Sequence, residues 1–294
     1  MQKLIGVVPP MVTPFTRDEG VDEHNLTKLV HFLSEHVHGL FICGSYGNGP
    51  LMNVEEKKRV IDVVAKTVPA RIQLVVHVGA TNVRDAVELA RYAEGKGAAK
   101  VSSVLPYYFH HTRDSIKLYF ERLVRAVKIP VYAYNNPKFT GVPMDVPLVQ
   151  ELADLGVAGI KDSSFDIMML ANFVRKIRQP DFDVVLGTEA MFLYAATIGV
   201  QAFIPGLGNA FPEICVDLYD AATQGELERA RALQEQVNEL RDIMYLAKST
   251  VVAVYALLKL RGVCDAYPRE PFIPLGDKEL GAMREELQAK GFLK

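Results

Sequence analysis

The sequence has few cysteines, and they are widely separated. Cys43, Cys215 and Cys264 are odd in number and follow no short repeat, so neither a disulfide framework nor a zinc ribbon is expected. The first residues, from Met1 to Gly6, run directly into an apolar segment without a long hydrophobic leader or a small-residue cleavage site. We therefore expect a cytoplasmic protein.

The chain also lacks an excess of charge and a long apolar run. Its 33 basic and 35 acidic residues leave a formal net charge of −2, which provides no electrostatic footprint for nucleic acid or for an anionic membrane. No uncharged apolar stretch approaches the length that a membrane-spanning helix requires. We therefore expect a small-molecule partner, and neither nucleic acid nor a membrane.

The sequence does contain a regular series of short apolar runs. With 294 residues, of which 49% are hydrophobic, the chain is long enough for one large core. The runs predict eight strands, at Gly6–Pro14, Gly39–Cys43, Gln73–Gly79, Lys100–Pro106, Pro130–Tyr134, Val157–Lys161, Val184–Gly187 and Ala202–Pro205.

The stretches between these runs have helical spacing. Asn53 and Glu56 form a capping-box pattern before one of them. Alternating strands and helices indicate βαβ units and a parallel sheet. Eight units favour an α/β fold of the closed (β/α)8 TIM-barrel type over a doubly wound sheet. One helical stripe consists of Leu26, Leu29, Val30 and Leu33.

The C-terminal part predicts extra helices. Val251–Leu260 is one apolar helical stretch, and Pro268–Pro274 is typical of a turn before the last helix. We expect a single domain over residues 1–294, with the barrel in residues 1–222 and a C-terminal helical extension in residues 223–294. A further helical stripe consists of Leu227, Ala230, Leu233, Val237, Leu240 and Met244.

A lysine ends the sixth predicted strand. Barrel enzymes carry catalysis at the C-terminal ends of strands, and Lys161 follows the apolar run Val157–Ile160. A lysine that points into the barrel loses solvation, which lowers its pKa and makes the neutral amine a nucleophile. The alternative is a lysine that pairs with Asp162 or is solvated at the rim.

Other strand ends carry a tyrosine or glycine-rich segments. Tyr134 closes the fifth predicted strand, where a phenol can exchange a proton or pack with one satisfied hydroxyl. The loop Gly44–Gly49 can present backbone N–H groups to a carboxylate or form a plain tight turn. Gly187–Glu189 and Ile204–Asn209 end the last two strands, where many barrels hold phosphate, although their glycines also suit turns.

Seven histidines raise a metal-dependent barrel hydrolase or isomerase as an alternative. His77, His110 and His111 are near strand ends, but no HxxxH or HxH pattern with a supporting carboxylate occurs there. We expect neither a catalytic metal nor another cofactor.

Taken together, these strand-end segments resemble the dihydrodipicolinate synthase / N-acetylneuraminate lyase family of class I aldolases over nearly the whole chain. The order and spacing of the segments make the resemblance specific. They are Val12-Thr13-Pro14-Phe15, Gly44-Ser45-Tyr46-Gly47, Pro106-Tyr107-Tyr108, Tyr134-Asn135-Asn136-Pro137 with Thr140-Gly141, Gly159-Ile160-Lys161-Asp162, and Gly187.

The resemblance implies catalytic roles. Lys161 would form a Schiff base with a 2-keto acid such as pyruvate, and Tyr134 would be the acid/base. Ser45 matches a hydroxyl that binds the keto-acid carboxylate and links Tyr134 to a second tyrosine, here Tyr108, which the family usually inserts from a neighbouring subunit. A homotetramer, built as a dimer of dimers, is implied. The substrate-binding positions are Tyr46, Gly47, Phe139, Gly187 and Ile204.

Departures from the family pattern bear on the substrate. Tyr46 stands where a second small hydroxyl is usual and Asn48 replaces a glutamate, so carboxylate binding would rest on backbone N–H groups. Phe139 stands where dihydrodipicolinate synthases carry an arginine that grips the aldehyde's carboxylate. Gly187-Thr188-Glu189-Ala190 departs from the sialic-acid lyase pattern.

One segment resembles 2-keto-3-deoxygluconate aldolases in motif detail. Gly47-Asn48-Gly49-Pro50-Leu51 matches their GxGPxL continuation. We expect a lyase that cleaves a 2-keto-3-deoxy sugar acid, or a related 4-hydroxy-2-keto acid, into pyruvate and an aldehyde. Dihydrodipicolinate synthase and a barrel that binds a keto acid only as a sensor are the alternatives.

Overall fold

The computed structural model describes residues 2–294, and its centre is a barrel of eight parallel strands. Neighbouring strands follow the chain order from the second to the eighth, and the first strand pairs with the eighth. The strands are β1 (Gly6–Val7), β2 (Gly39–Ile42), β3 (Gln73–His77), β4 (Lys100–Val104), β5 (Val131–Asn135), β6 (Gly159–Asp162), β7 (Asp183–Leu186) and β8 (Ala202–Phe203).

Backbone hydrogen bonds also join the two ends of this sheet. The N–H of His38 donates to the carbonyl of Val7 at 3.0 Å, and the N–H of Met11 donates to the carbonyl of Phe41 at 2.9 Å. The segment after β1 therefore lies against β2, and the predicted (β/α)8 barrel is confirmed. Strand β1 is shorter than predicted because Pro9 and Pro10 have no N–H to give to a ladder.

Helices follow the strands and cover the outside of the barrel. The stripe and the capping box predicted for the first two helices are confirmed, since Asn53 and Glu56 bond reciprocally. The barrel helices are α1 (Glu23–His36), α2 (Val54–Thr67), α3 (Val83–Gly95), α4 (Arg113–Ala126), the short α5 (Pro137–Thr140), α6 (Val146–Asp154), α7 (Ile167–Lys176), α8 (Phe192–Thr197) and α9 (Pro212–Thr223).

The C-terminal helices that the sequence predicts are also present. They are α10 (Leu227–Met244), α11 (Thr250–Leu260) and α12 (Asp277–Ala289). Buried side chains on them, such as Leu240, Leu257 and Leu287, belong to the same apolar cluster as the barrel helices. On that ground we propose that the chain forms one domain. Within residues 2–294, no helix is both long and apolar enough to cross a membrane.

A separate apolar cluster fills the barrel interior. It includes Phe41 of β2, Val75 of β3, Tyr132 and Tyr134 of β5, and Val185 of β7. Because side chains alternate along a strand, the residues between these point outward to the helices. This alternation determines which strand-end residues face the candidate site.

Candidate active site

Lys161 lies inside the barrel next to Tyr134. The register of β5 and β6 places these residues side by side, and the Lys161 Nζ atom is 3.9 Å from the centre of the Tyr134 ring and 4.2 Å from that of Phe41. Lys161 is 3% exposed. Burial lowers the pKa of Lys161 although the neighbouring Tyr134 raises it in part, which favours a neutral, nucleophilic amine.

Tyr134 has polar neighbours around its hydroxyl. The Nδ2 atom of Asn136 donates to the hydroxyl oxygen at 2.9 Å. Burial acts to raise the pKa of Tyr134, but the charge of Lys161 and hydrogen bonds with Ser163, Lys161 and Ser45 outweigh burial and lower it. The structure therefore brings Lys161, Tyr134 and Ser45 together, with groups that favour proton transfer at the phenol.

The residues next to this pair face the other way. Asp162 accepts from Asn135 Nδ2 at 2.7 Å and from the Ser164 hydroxyl at 2.8 Å. Asn135 in turn accepts from the N–H of Met144 at 3.0 Å. Asp162 is thus bound to polar partners outside the barrel lumen, and across residues 2–294 no carboxylate forms an ion pair with Lys161. The alternative interpretation, a Lys161–Asp162 pair, is wrong.

The other predicted binding residues line the neighbouring strand ends. Ile204 is buried in the cluster that contains Tyr134. A Cβ atom on Gly187 would lie 1.9 Å from the Ser163 hydroxyl oxygen, and one on Gly206 would lie 2.4 Å from the Tyr46 hydroxyl oxygen. Gly187 is required in addition because the backbone carbonyl oxygen of Asp162 lies 2.7 Å from the same position, whereas Gly206 leaves room for the Tyr46 ring.

In the loop after β2, Asn48, which departs from the family pattern, has a structural role. Asn48 is buried, and its Oδ1 atom accepts from the N–H of Arg269 at 2.9 Å. The Cβ position of Gly47 lies 2.9 Å from the carbonyl oxygen of Met11, so the loop is packed against the segment that closes the barrel. Asn48 therefore ties this loop to the C-terminal region.

A buried ion pair lies at the ends of β7 and α10. The Glu189 carboxylate pairs with the guanidinium of Arg241 and accepts from the N–H of Gly206 at 2.9 Å. Arg241 also donates to the Tyr245 hydroxyl at 2.7 Å, and its guanidinium carbon is 5.7 Å from the centre of the Phe165 ring. Glu189 and Arg241 also affect the pKa of Tyr46, which places the pair beside the loop after β2.

Tyr108 and Phe139 are not brought to Lys161 within the chain. Tyr108 has a left-handed backbone, with φ of 83°, and is 86% exposed. Phe139 lies exposed on α5, with the Lys138 ammonium 6.0 Å from its ring centre. Arg113, the other nearby cation in the sequence, donates to Glu151 at 2.9 Å.

His77 is buried beside Tyr134 rather than in a cluster of metal ligands. Its ring stands edge-on to Tyr134 with centroids 5.8 Å apart, and its Nε2 atom accepts from the N–H of Val104 at 3.3 Å. Burial, aided by the charges of Lys57 and Lys161, lowers the pKa of His77 to about 3. In residues 2–294, no three histidine, cysteine or acidic side chains are grouped to hold a metal ion.

Several of these residues carried no role in the sequence analysis. Asn136 is within a recognised motif segment and Ser163 directly follows one, so their positions gave a signal that was not used. Arg241 gave no such signal, because its partner Glu189 is 52 residues away in the sequence. His77 was weighed only as a metal ligand.

Comparison with known proteins identifies the family. The sequence profile described as the dihydrodipicolinate synthetase family matches residues 3–290. The chain belongs to this family. It is therefore a lyase of the pyruvate-dependent class I aldolase type, which confirms the resemblance drawn from the motifs.

Individual relatives of this dihydrodipicolinate synthetase family member carry different names. A 4-hydroxy-tetrahydrodipicolinate synthase from Methanopyrus kandleri is 30% identical over 292 residues, covering 98% of this chain and 97% of the relative. A prophage protein of the dihydrodipicolinic acid synthase family from E. coli, solved with pyruvate, has a TM-score of 0.93 at 27% identity and covers 97% of this chain and 98% of that one.

A third relative is a variant of the 2-keto-3-deoxygluconate aldolase from Sulfolobus solfataricus. Its TM-score is 0.91 at 26% identity, with 98% of this chain and 96% of that chain covered. These names agree on the class of enzyme but differ in the substrate. The second substrate of this enzyme therefore has to be inferred from the residues of the site.

Proposed function

We propose that the enzyme reversibly cleaves a 2-keto-3-deoxy sugar acid, or a related 4-hydroxy-2-keto acid, into pyruvate and an aldehyde. The observation that carries this proposal is the buried Lys161 amine, which lies against the Tyr134 ring without a carboxylate partner. A lysine that has lost its solvation and has no counter-ion is suited to attack a keto carbon as the neutral amine.

The cleavage direction follows from these two groups. The Lys161 amine adds to the keto carbon of the substrate, and Tyr134 donates a proton to the departing hydroxyl, so that water leaves and a protonated imine forms. Tyr134 then takes the proton of the hydroxyl two carbons further along. The bond between that hydroxyl-bearing carbon and the carbon next to the imine breaks and the aldehyde leaves. The electron pair of the broken bond forms the enamine double bond, and the imine electrons move to the nitrogen.

The enamine is then converted to pyruvate. Its terminal carbon takes the proton from Tyr134, which re-forms the protonated imine and leaves a phenolate. Water adds to the imine carbon, the released proton returns to the Tyr134 phenolate, and pyruvate leaves the neutral Lys161 amine. Ser45 supports the phenol of Tyr134 and is proposed to bind the keto-acid carboxylate. Tyr46, Gly47, Gly187 and Ile204 are proposed to shape the space around the bound keto acid.

The second substrate is proposed to be a neutral hydroxyaldehyde. Phe139 offers no charged donor to an aldehyde that carries a carboxylate. Arg241 is no free cation for such a carboxylate, because it is buried and already paired with Glu189. The two charges compensate each other, so an additional anion would have to compete with Glu189 for Arg241.

Dihydrodipicolinate synthase is the second candidate, since the Methanopyrus kandleri relative bears that name. It would require a cation for the carboxylate of aspartate semialdehyde. Lys138 is the available neighbour of Phe139, because Arg113 already binds Glu151.

The assembly is proposed to be a homotetramer built as a dimer of dimers. Tyr108 and Phe109 are both largely exposed on the loop after β4, with ring centroids 5.0 Å apart, and such a pair suits burial in a neighbouring subunit. Light scattering that reports a monomer, or Tyr108→Ala with unchanged mass and unchanged turnover, would exclude this role for Tyr108.

We also propose a cytoplasmic location.

Borohydride reduction in the presence of pyruvate tests the proposed function. We expect a covalent adduct on Lys161, found by mass spectrometry of peptides, and no adduct in Lys161→Arg. Lys100→Arg is a matched control, because Lys100 is also a buried strand lysine but donates to the carbonyl of Gln2 away from the site. An adduct on another lysine, or none, contradicts the Schiff-base mechanism.

A further inference from the structure

Asn136 is a buried amide that the mechanism above does not use. It lies between β5 and α5 and is 5% exposed. Its Nδ2 atom donates to the Tyr134 hydroxyl oxygen at 2.9 Å. The Tyr134 hydroxyl, which is proposed to transfer protons, thus has an amide partner two residues further along the same chain segment.

The place of Asn136 in the chain favours a different use of its side chain. Asn136 is the N-cap residue of α5, and an asparagine at that position commonly accepts a hydrogen bond from the first turn of the helix. Asn53 and Asn82 cap α2 and α3 in this way. Asn136 makes no side-chain cap, so helix capping does not explain where its amide points.

Hydrogen bonds fix the main chain at Asn136 and so limit the directions that its side chain can take. Its carbonyl accepts from the N–H groups of Phe139 and Thr140, both at 3.0 Å, and from the Thr140 hydroxyl at 3.1 Å. Pro137 follows, with a restricted φ angle. The amide is therefore in place before any substrate binds, as electrostatic preorganisation requires.

We propose that Asn136 is the positioning residue for the Tyr134 proton: its amide N–H occupies one lone pair of the phenolic oxygen and leaves the hydroxyl proton to point towards Lys161. This inference rests on the proposed function, because it assigns a proton-transfer role to Tyr134. It makes Asn136 part of the machinery without direct contact with the reacting carbon atoms.

The same hydrogen bond favours the phenolate over the phenol. The other groups that face the Tyr134 hydroxyl are Lys161 on β6, His77 on β3, Tyr46 and Ser45 after β2, and Ser163 after β6. His77 is held neutral, and the positive charge that Lys161 carries as the protonated imine acts in the same direction as Asn136. Removing the amide donor is therefore expected to raise the pKa of Tyr134.

The exchange of pyruvate methyl hydrogens in heavy water, followed by NMR, measures this effect without knowledge of the aldehyde. Asn136→Leu has a similar shape and no donor. The exchange rate should rise with pH as Tyr134 loses its proton, and we call this part of the profile the rising limb. In Asn136→Leu we expect the rising limb to shift to higher pH by about 1–2 pH units, the effect of one hydrogen bond to a charged group. Exchange at a fixed pH on this limb should fall about ten- to a hundredfold, in proportion to the smaller phenolate fraction.

Two further variants complete the test. Asn136→Asp replaces the donor by a carboxylate, so its limb should move further in the same direction. Asn172→Leu, on the partly exposed surface of α7, should leave the profile unchanged. Should Asn136→Leu fail to fold, Asn136→Asp and Asn136→Ser carry the comparison.

Borohydride trapping with pyruvate separates the two proposals. A wild-type enzyme that forms no adduct overturns the proposed function and with it this inference. Wild type and Asn136→Leu that both form the adduct, with a limb that stays in place or moves towards acid, overturn the role of Asn136 alone. A uniform loss of rate without a shifted limb has the same meaning, because a purely structural residue would produce it.

Discussion

Glu189 and Arg241 form a buried ion pair at the mouth of the barrel. Glu189 follows β7 and Arg241 lies on α10, so the contact joins the barrel to the C-terminal helices. Gly206 and Tyr245 satisfy further atoms of the pair. Removing one partner of such a pair leaves a buried charge without compensation.

Arg241→Met should therefore lower the free energy of unfolding by about 3–5 kcal/mol, measured by urea denaturation. Arg229→Met is the matched control on α10, because Arg229 pairs with Glu226 and Asp217 at an exposed position. Its cost should be about 1 kcal/mol or less. Equal losses in the two variants would contradict the assignment, whereas Glu189→Gln added to Arg241→Met should recover part of the stability.

Tyr134→Phe should reduce turnover by about 10²–10⁴, the usual contribution of a positioned acid/base. Ser45→Ala should reduce turnover less, because it supports the phenol without transferring the proton at the reacting carbon. Turnover is measured with pyruvate and an accepted aldehyde, and circular dichroism reports the fold. Wild-type kinetics in a folded Tyr134→Phe would remove Tyr134 from the mechanism.

His77 should make stability fall in acid. Its folded pKa, about 3, is lower than its usual value of 6.5, so the unfolded chain takes up a proton first as the pH falls. Stability is unaffected above about pH 6.5 and is lost between that value and about pH 3, at about 1.4 kcal/mol per pH unit. His77→Gln, which keeps an acceptor for the N–H of Val104, should remove this slope.

The measurement for His77 is urea unfolding of both proteins at several values between pH 7 and pH 4. The difference between wild type and variant cancels the other titrating groups, such as Asp162 and Asp183. Parallel stability curves over this window would show that His77 titrates normally.

The enzyme should react poorly with aldehydes that carry a carboxylate. With pyruvate saturating, kcat/KM for glyceraldehyde should exceed that for aspartate semialdehyde, because Phe139 provides no charge-assisted donor and the lost hydration of the anion is not replaced. Phe139→Arg should shift the ratio towards aspartate semialdehyde, and Phe139→Leu should not. A clear wild-type preference for aspartate semialdehyde would make dihydrodipicolinate synthase the assigned function.

Much of the fold could be predicted because its signals are local. Eight apolar runs, the stripe of α1 and the capping box of Asn53 each depend on residues close in sequence. The early end of β1 was missed because Pro9 and Pro10 interrupt the ladder inside an apolar run. The position of Lys161 followed from the rule that barrel chemistry lies at strand ends.

The rest of the site depends on contacts that no local pattern encodes. Arg241 is one of several arginines on α10, and only the fold shows that it reaches Glu189 while Arg229 remains at the surface. The direction of the Asn136 side chain was equally hidden, because an asparagine before a helix is ordinarily expected to cap it.

The alternation along β5 and β6 has a consequence for how this site tolerates change. Tyr134 and Lys161 face inward as a pair, and the next pair, Asn135 and Asp162, holds the same two strands together on the outside. A slip of one residue between these strands would exchange the two faces of one strand. Reactivity and strand alignment are thus coupled, so a defect in alignment is expected to produce a mixture of fully active and inactive molecules rather than a uniformly slower enzyme.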